Sequence, residues 1–130
     1  MDAGGRQRPR VLIVDDEPRL GVSLQILLSS EHDAVVAGSG REAQELLVAD
    51  GAFDVILCDL MMPDVSGIDL HRWIAARDPR LARRMIFMSG GAFTKLAREF
   101  LETEHPDYLE KPFDPQKLVK TIRAVLSKTD

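Results

Sequence analysis

Five short apolar runs punctuate the chain at intervals of about twenty to thirty residues. They are VLIV at 11–14, AVVAG at 34–38, VILC at 55–58, MIFM at 85–88 and the weaker DYL at 107–109. Each is too short to be a helix, and the first four are rich in β-branched or bulky apolar residues without polar alternation, the pattern of strands covered on both faces. Between them the period changes. Leu20, Leu24, Leu27 and Leu28 follow an i, i+4, i+7, i+8 rule behind Pro18, which suits a first helical turn. Ser39 and Glu42 form an S-x-x-E box ahead of Ala43, Leu46 and Leu47, and Ser66 with Asp69 repeats the signal ahead of Leu70, Trp73 and Ile74. Phe93, Leu96, Ala97, Phe100 and Leu101 share one stripe, and Asp114-Pro115 opens a last helix carrying Leu118, Ile122, Val125 and Leu126. A strand-helix unit repeated five times predicts an α/β fold, a parallel sheet sandwiched between helices. In such sheets the ligand site lies beyond the carboxyl ends of the strands.

Length and charge narrow the class. At 130 residues the chain fits one domain with a real core, expected over residues 10–128 behind a polar leader or linker at 1–9. A hydrophobic share of 45% with 29% charged residues argues against disorder. The net charge of −4 gives no nucleic-acid footprint, and Arg6, Arg8 and Arg10 are too small a basic cluster to read as a DNA arm. No apolar run approaches the ~18 to 20 residues of a membrane span, and the opening MDAGGRQRPR lacks the apolar middle of a secretory signal, so the expected setting is cytoplasmic. A single cysteine, Cys58, excludes an internal disulfide and reads as a small buried thiol.

The strand ends carry the chemistry. The first run ends in Asp15-Asp16, the third in Asp59, the fourth in Ser89 before Gly90-Gly91, and the fifth leads to Lys111-Pro112. Each has a bland explanation: Asp16 as a helix cap, Ser89 as a turn former, Lys111 as a solvated charge. Together they demand more, because two unit charges ~4 Å apart repel by roughly 4 kcal/mol at an effective dielectric near 20. Lys111 and one hard divalent cation balance three acids. Magnesium fits, since there is no D-x-D-x-D-G loop for calcium and no His or Cys cluster for zinc. His32, His71 and His105 are dispersed over three connections and read as ordinary surface residues. Magnesium with few carboxylates points to phosphoryl handling, and a carboxylate can itself be the nucleophile.

The segments LIVDDEP, DLMMPDVSG with Pro63 and Gly67, MSGGA, and YLEKPF resemble the response-regulator receiver domain, the phospho-acceptor module of bacterial two-component signalling, from about Arg10 to Lys128. The resemblance implies a flavodoxin-like (βα)5 three-layer sandwich with strand order 2-1-3-4-5. It implies that Asp59 is phosphorylated and that Asp15, Asp16, Asp59 and the Met61 carbonyl hold Mg2+. Ser89, Gly90, Lys111 and the Met61 backbone would bind the phosphoryl group. Tyr108, three places before the lysine, matches the aromatic switch residue, swinging inward as Ser89 moves and remodelling the face formed by the fourth and fifth crossover helices and the last strand. Pro112 matches a cis-proline position. The implied donor is the phosphohistidine of a histidine kinase, in cis or in trans. The stretch from Ser89 to Asp114 is somewhat closer to receivers that end hybrid kinases than to those joined to DNA-binding domains.

Two other functions compete. In a haloacid-dehalogenase-like phosphatase Asp15 would attack phosphate and Glu17, two residues on, would act as acid or base, although Pro18 follows and no small hydroxyl residue completes that motif. An interaction module that keeps the receiver shape without phosphorylation would have no use for a self-repelling acidic cluster. Flavin or nucleotide binding is disfavoured because the first loop reads DDEP where an anion site wants glycines and free N–H groups.

Overall fold

The computed structural model describes residues 8–91 and 94–128; Phe93, Arg6 and most of the expected leader lie outside the described residues. Five parallel strands, β1 (Arg10–Val14), β2 (Asp33–Ala37), β3 (Val55–Asp59), β4 (Met85–Ser89) and β5 (Asp107–Glu110), form one sheet in the order β2-β1-β3-β4-β5. The crossovers are α1 (Pro18–Leu28), α2 (Gly40–Ala49), α3 (Gly67–Arg77), a four-residue α4 (Pro79–Ala82), α5 (Lys95–Glu104) and α6 (Pro115–Leu126). This is the flavodoxin-like fold. The ladder begins just before β1, where the Pro9 carbonyl accepts from Asp33 N–H at 2.9 Å, inside the segment expected to be leader.

The strands lack polar alternation because both faces are covered. Along β1, Leu12 and Val14 pack into one cluster and Val11 and Ile13 into the other. Ala43, Leu47, Ile68, Leu70, Ile74, Ala97 and Phe100 bring α2, α3 and α5 onto the first face, while Leu24, Leu28, Leu118, Ile122 and Val125 bring α1 and α6 onto the second. Where the helical stripes were read too wide, the structure trims them: Leu27 is 38% and Leu96 53% exposed, each sitting one position off the buried stripe of its helix. The short α4 was not expected; Asp78 caps it through Leu81 N–H and Pro79 starts it.

Helix starts follow their capping chemistry. Ser66 and Asp69 make the reciprocal capping box of α3. At α2 only half of the box forms: Ser39 accepts from Glu42 N–H, but the Glu42 carboxylate takes the N–H of Gly38, one residue before the cap, at 2.7 Å. Cys58 is buried, as expected. Two of the three histidines are not surface residues. His32 is 6% exposed with Nδ1 3.2 Å from the Leu28 carbonyl, and His71 is half-buried against Phe87 and Phe100.

Candidate phosphoryl-acceptor site

Asp15 and Asp59 are held where the ladders run one residue past their strands. Asp15 N–H donates to Ala37 O at 3.1 Å, and Leu60 N–H to Met88 O at 2.8 Å. Each carboxylate is then aimed by the N–H two residues on, an Asx turn: Glu17 N–H donates to Asp15 Oδ1 at 2.8 Å and Met61 N–H to Asp59 Oδ1 at 3.1 Å. Gly67 lets α3 start against this loop, since a Cβ there would lie 2.7 Å from the Asp59 carbonyl oxygen and 2.8 Å from Leu60 Cα. Lys111 is anchored opposite, its N–H donating to Ser89 O at 2.8 Å. The Lys111-Pro112 bond is cis.

These anchors bring the predicted charges to one rim. Lys111 Nζ lies 3.2 Å from Oδ2 of both Asp15 and Asp59, and 3.9 Å from Glu17 Oε1. Carboxylate oxygens of Asp15, Asp16 and Asp59 lie within 4.8 Å of one another. Asp15 is fully buried and Asp59 7% exposed, whereas Asp16 is exposed. Among the described residues Asp16 forms no hydrogen bond or ion pair, so it is an acid with oxygens to spare beside two others.

The electrostatics show what the site lacks. Burial pushes the Asp59 carboxyl above its usual range, and Asp15 adds to the effect, although Lys111 and the Met61 N–H pull the other way. Burial also works against the Lys111 ammonium, but Asp59 and then Asp15 overcome it and raise its pKa. One ammonium therefore does not fully compensate the buried acids. A hard divalent cation among three close carboxylates would supply further positive charge, and oxygen-only donors suit magnesium. The residues present fit it.

Ser89 is placed less simply. It ends β4 at 2% exposure, with its side chain near enough to Tyr108 to favour the ionised form of that hydroxyl. Tyr108 is half-buried, in register with Phe87, and burial raises its hydroxyl pKa despite the Ser89 contact. Its ring packs, partly buried, against the α2–α3–α5 cluster. Gly90 is exposed beside the rim.

Glu17 was missed as a member of this network. Its backbone orients Asp15 while its carboxylate, 70% exposed, approaches Lys111. The Asp-x-Glu spacing ahead of Pro18 is the Asx-turn signal that reveals the backbone half of that role. Burial disfavours a dehalogenase-like nucleophile at Asp15, whose side chain is 0% exposed where that of Asp59 keeps 10%.

A parallel 2-1-3-4-5 sheet with an acid pair after β1, an acid ending β3 and a lysine after β5 defines the receiver class of signalling modules. The chain belongs to the response regulator receiver domain family, whose model matches residues 11–123. It is 35% identical over 124 residues to the DNA-binding response regulator MtrA of Mycolicibacterium smegmatis, covering 95% of this chain and 53% of that protein. It is 33% identical to Protein PetR of Rhodobacter capsulatus, covering 91% of this chain and 48% of that one. The chain thus spans about half the length of these curated relatives. Among solved structures it is similar to a response regulator receiver protein from Pseudomonas putida, with a TM-score of 0.79, 32% identity and coverage of 92% and 98%. A receiver domain protein from Clostridium thermocellum gives a TM-score of 0.79 at 26% identity, covering 91% and 94%. Receivers are signalling domains rather than enzymes in the ordinary sense, and Mg2+ binding at an acidic pocket is typical of them. No helix among the described residues is long and apolar enough to cross a membrane.

Proposed function

We propose that Asp59 accepts a phosphoryl group from the phosphohistidine of a histidine kinase, in cis or in trans, and later loses it to water. The observation that carries this is the Lys111 ammonium bridging Asp15 and Asp59 at 3.2 Å with Asp16 beside them. An Asp59 oxygen attacks the phosphorus in line, the new O–P bond forms as the P–N bond to the donor imidazole breaks, and the imidazole leaves with the bonding pair. Asp15, Asp16, Asp59 and the Met61 carbonyl would hold Mg2+, which would neutralise charge on the phosphoryl oxygens. Lys111, already at hydrogen-bond distance from Asp59, pairs with the transferred group.

Turning a carboxylate into an acyl phosphate adds about one negative charge and three acceptor oxygens. Ser89 and the N–H groups of Gly90 and Met61 are the donors at hand. Met61 N–H now serves the Asp59 carboxylate, and the Ser89 hydroxyl now lies close to Tyr108. Recruiting Ser89 to the phosphoryl group disturbs that contact, so Tyr108 repositions and the face made by α5, β5 and α6 changes shape. A local charge event becomes a surface signal.

Intact-mass analysis after incubation with Mg2+ and acetyl phosphate tests the assignment. The parent is expected to gain one phosphoryl mass and Asp59→Asn none; an equal gain in both places the acceptor elsewhere.

A further inference from the structure

His71 sits in an aromatic seam beneath the face that the proposed switch remodels. It projects from α3 onto Phe100 of α5, ring centroids 5.2 Å apart and nearly perpendicular, and onto Phe87 of β4 at 6.0 Å. Phe87 and Phe100 also meet edge to face at 5.3 Å, so the three rings close on one another. Phe87 pairs with Tyr108 across the β4–β5 ladder and lies two residues before Ser89. The imidazole is thus the one titratable member of a cluster that ties α5 to the central sheet.

Two open hollows of ≈ 390 and ≈ 430 Å3 flank this ring, and His71 and Glu104 line both. A hollow on either side gives water a short path to the imidazole once α5 shifts, and leaves α5 room to do so. The charged and titratable groups around the ring are Arg72 on α3, Glu99 and Glu104 on α5, Arg83 after α4, His105 and Asp107 at the approach to β5, and Lys128 after α6. Lys128 is held by Asp107 at 2.6 Å, and of the charges around the ring Glu104 and Arg72 act on His71 with opposite signs.

We propose that His71 is a proton-responsive wedge at the α3–α5 seam, whose protonation loosens α5 from β4 and so biases the domain toward the α5-displaced arrangement. Burial holds the imidazole below its ordinary value of 6.5, Glu104 opposing and Arg72 reinforcing the shift. The closed seam therefore binds the proton more weakly than an open one. Opening becomes easier as pH falls through 6.5 toward the closed-state value, and levels off below it. By reciprocity, whatever displaces α5 raises the affinity of His71 for a proton. The link to phosphorylation rests on the phospho-acceptor function proposed above; the proton-sensitivity of the seam does not.

The test uses the full chain. The His71 ring is titrated by NMR, and amide exchange of α5 is compared at about pH 5 and about pH 7.5 in the parent, His71→Phe and His105→Asn. After correction for intrinsic exchange, the parent and His105→Asn are expected to open α5 more at the acid pH than at the neutral one, and His71→Phe to be flat. A parent without the rise, an equal rise in His71→Phe, or a His71 ring titrating at or above 6.5 overturns the proposal, and the last readout needs no variant to fold. The titration is then repeated after treatment with acetyl phosphate and Mg2+. An upward move of the His71 midpoint in protein of proven phosphoryl mass supports the coupling, and an unmoved midpoint overturns it. Absence of the mass overturns the acceptor function instead and leaves the seam result standing.

Discussion

Replacing Lys111 by Met keeps most of the stem and removes the ammonium. Nζ is 3.2 Å from one oxygen each of Asp15 and Asp59, in a site where the three side chains are 16%, 0% and 10% exposed. At an effective dielectric near 20 each contact is worth about 5 kcal/mol, and two acid oxygens within 4.8 Å of each other repel by at least about 3.5 kcal/mol. Without the lysine, the cheapest escape for the folded protein is to take up a proton. Holding Asp59 protonated against its ordinary value of 3.8 costs about 4 kcal/mol at pH 7 and about 1.6 kcal/mol at pH 5. Those figures are ceilings, since burial already raises Asp59 in the parent. Urea unfolding without metal is expected to show Lys111→Met less stable by about 3 kcal/mol at pH 7 and about 1 kcal/mol at pH 5, with the fold intact at both. The sign at high pH follows from the raised Lys111 value: its contribution is full below 10.5 and is lost as pH rises through the folded value, a loss the variant lacks. Equal destabilisation at pH 7 and pH 5, or less than about 1 kcal/mol at pH 7, refutes the charge balance on which the site rests.

Asp59→Asn is expected to raise the urea midpoint of the metal-free protein at neutral pH, because burial disfavours the ionised carboxylate and the stability linked to its protonated form is lost as pH rises. That gain should shrink when Mg2+ is added, since the ion stabilises the parent more than the variant. Gly67→Ala places a Cβ 2.7 Å from the Asp59 carbonyl oxygen, so thermal unfolding should show a loss of about 1 to 3 kcal/mol together with slower phosphoryl uptake from acetyl phosphate.

The sheet was legible in the sequence because its signals are local. Apolar runs without alternation mark doubly covered strands, and S-x-x-E or S-x-x-D boxes mark helix starts; both depend on neighbours a few residues away. Asp15, Asp16, Asp59 and Lys111 were legible as strand-end residues for the same reason, since a parallel sheet brings all its carboxyl ends to one rim. The strand order came only with the family resemblance, because spacing does not say which strands pair.

What tertiary structure alone decided are quantities that depend on residues far apart in sequence. Lys111 meets Asp15 across 96 positions and Asp59 across 52, and only the fold sets the 3.2 Å that makes it a shared counter-ion. His71 read as a polar surface residue because the three histidines are dispersed over separate connections, yet Phe87 and Phe100 arrive from another strand and another helix to half-bury it. Tyr108 likewise owes its partial burial to the cluster built by α2, α3 and α5, which its own sequence window does not show. Local chemistry is written in short windows of sequence, but burial, and therefore charge state, is a sum over contacts that only packing supplies.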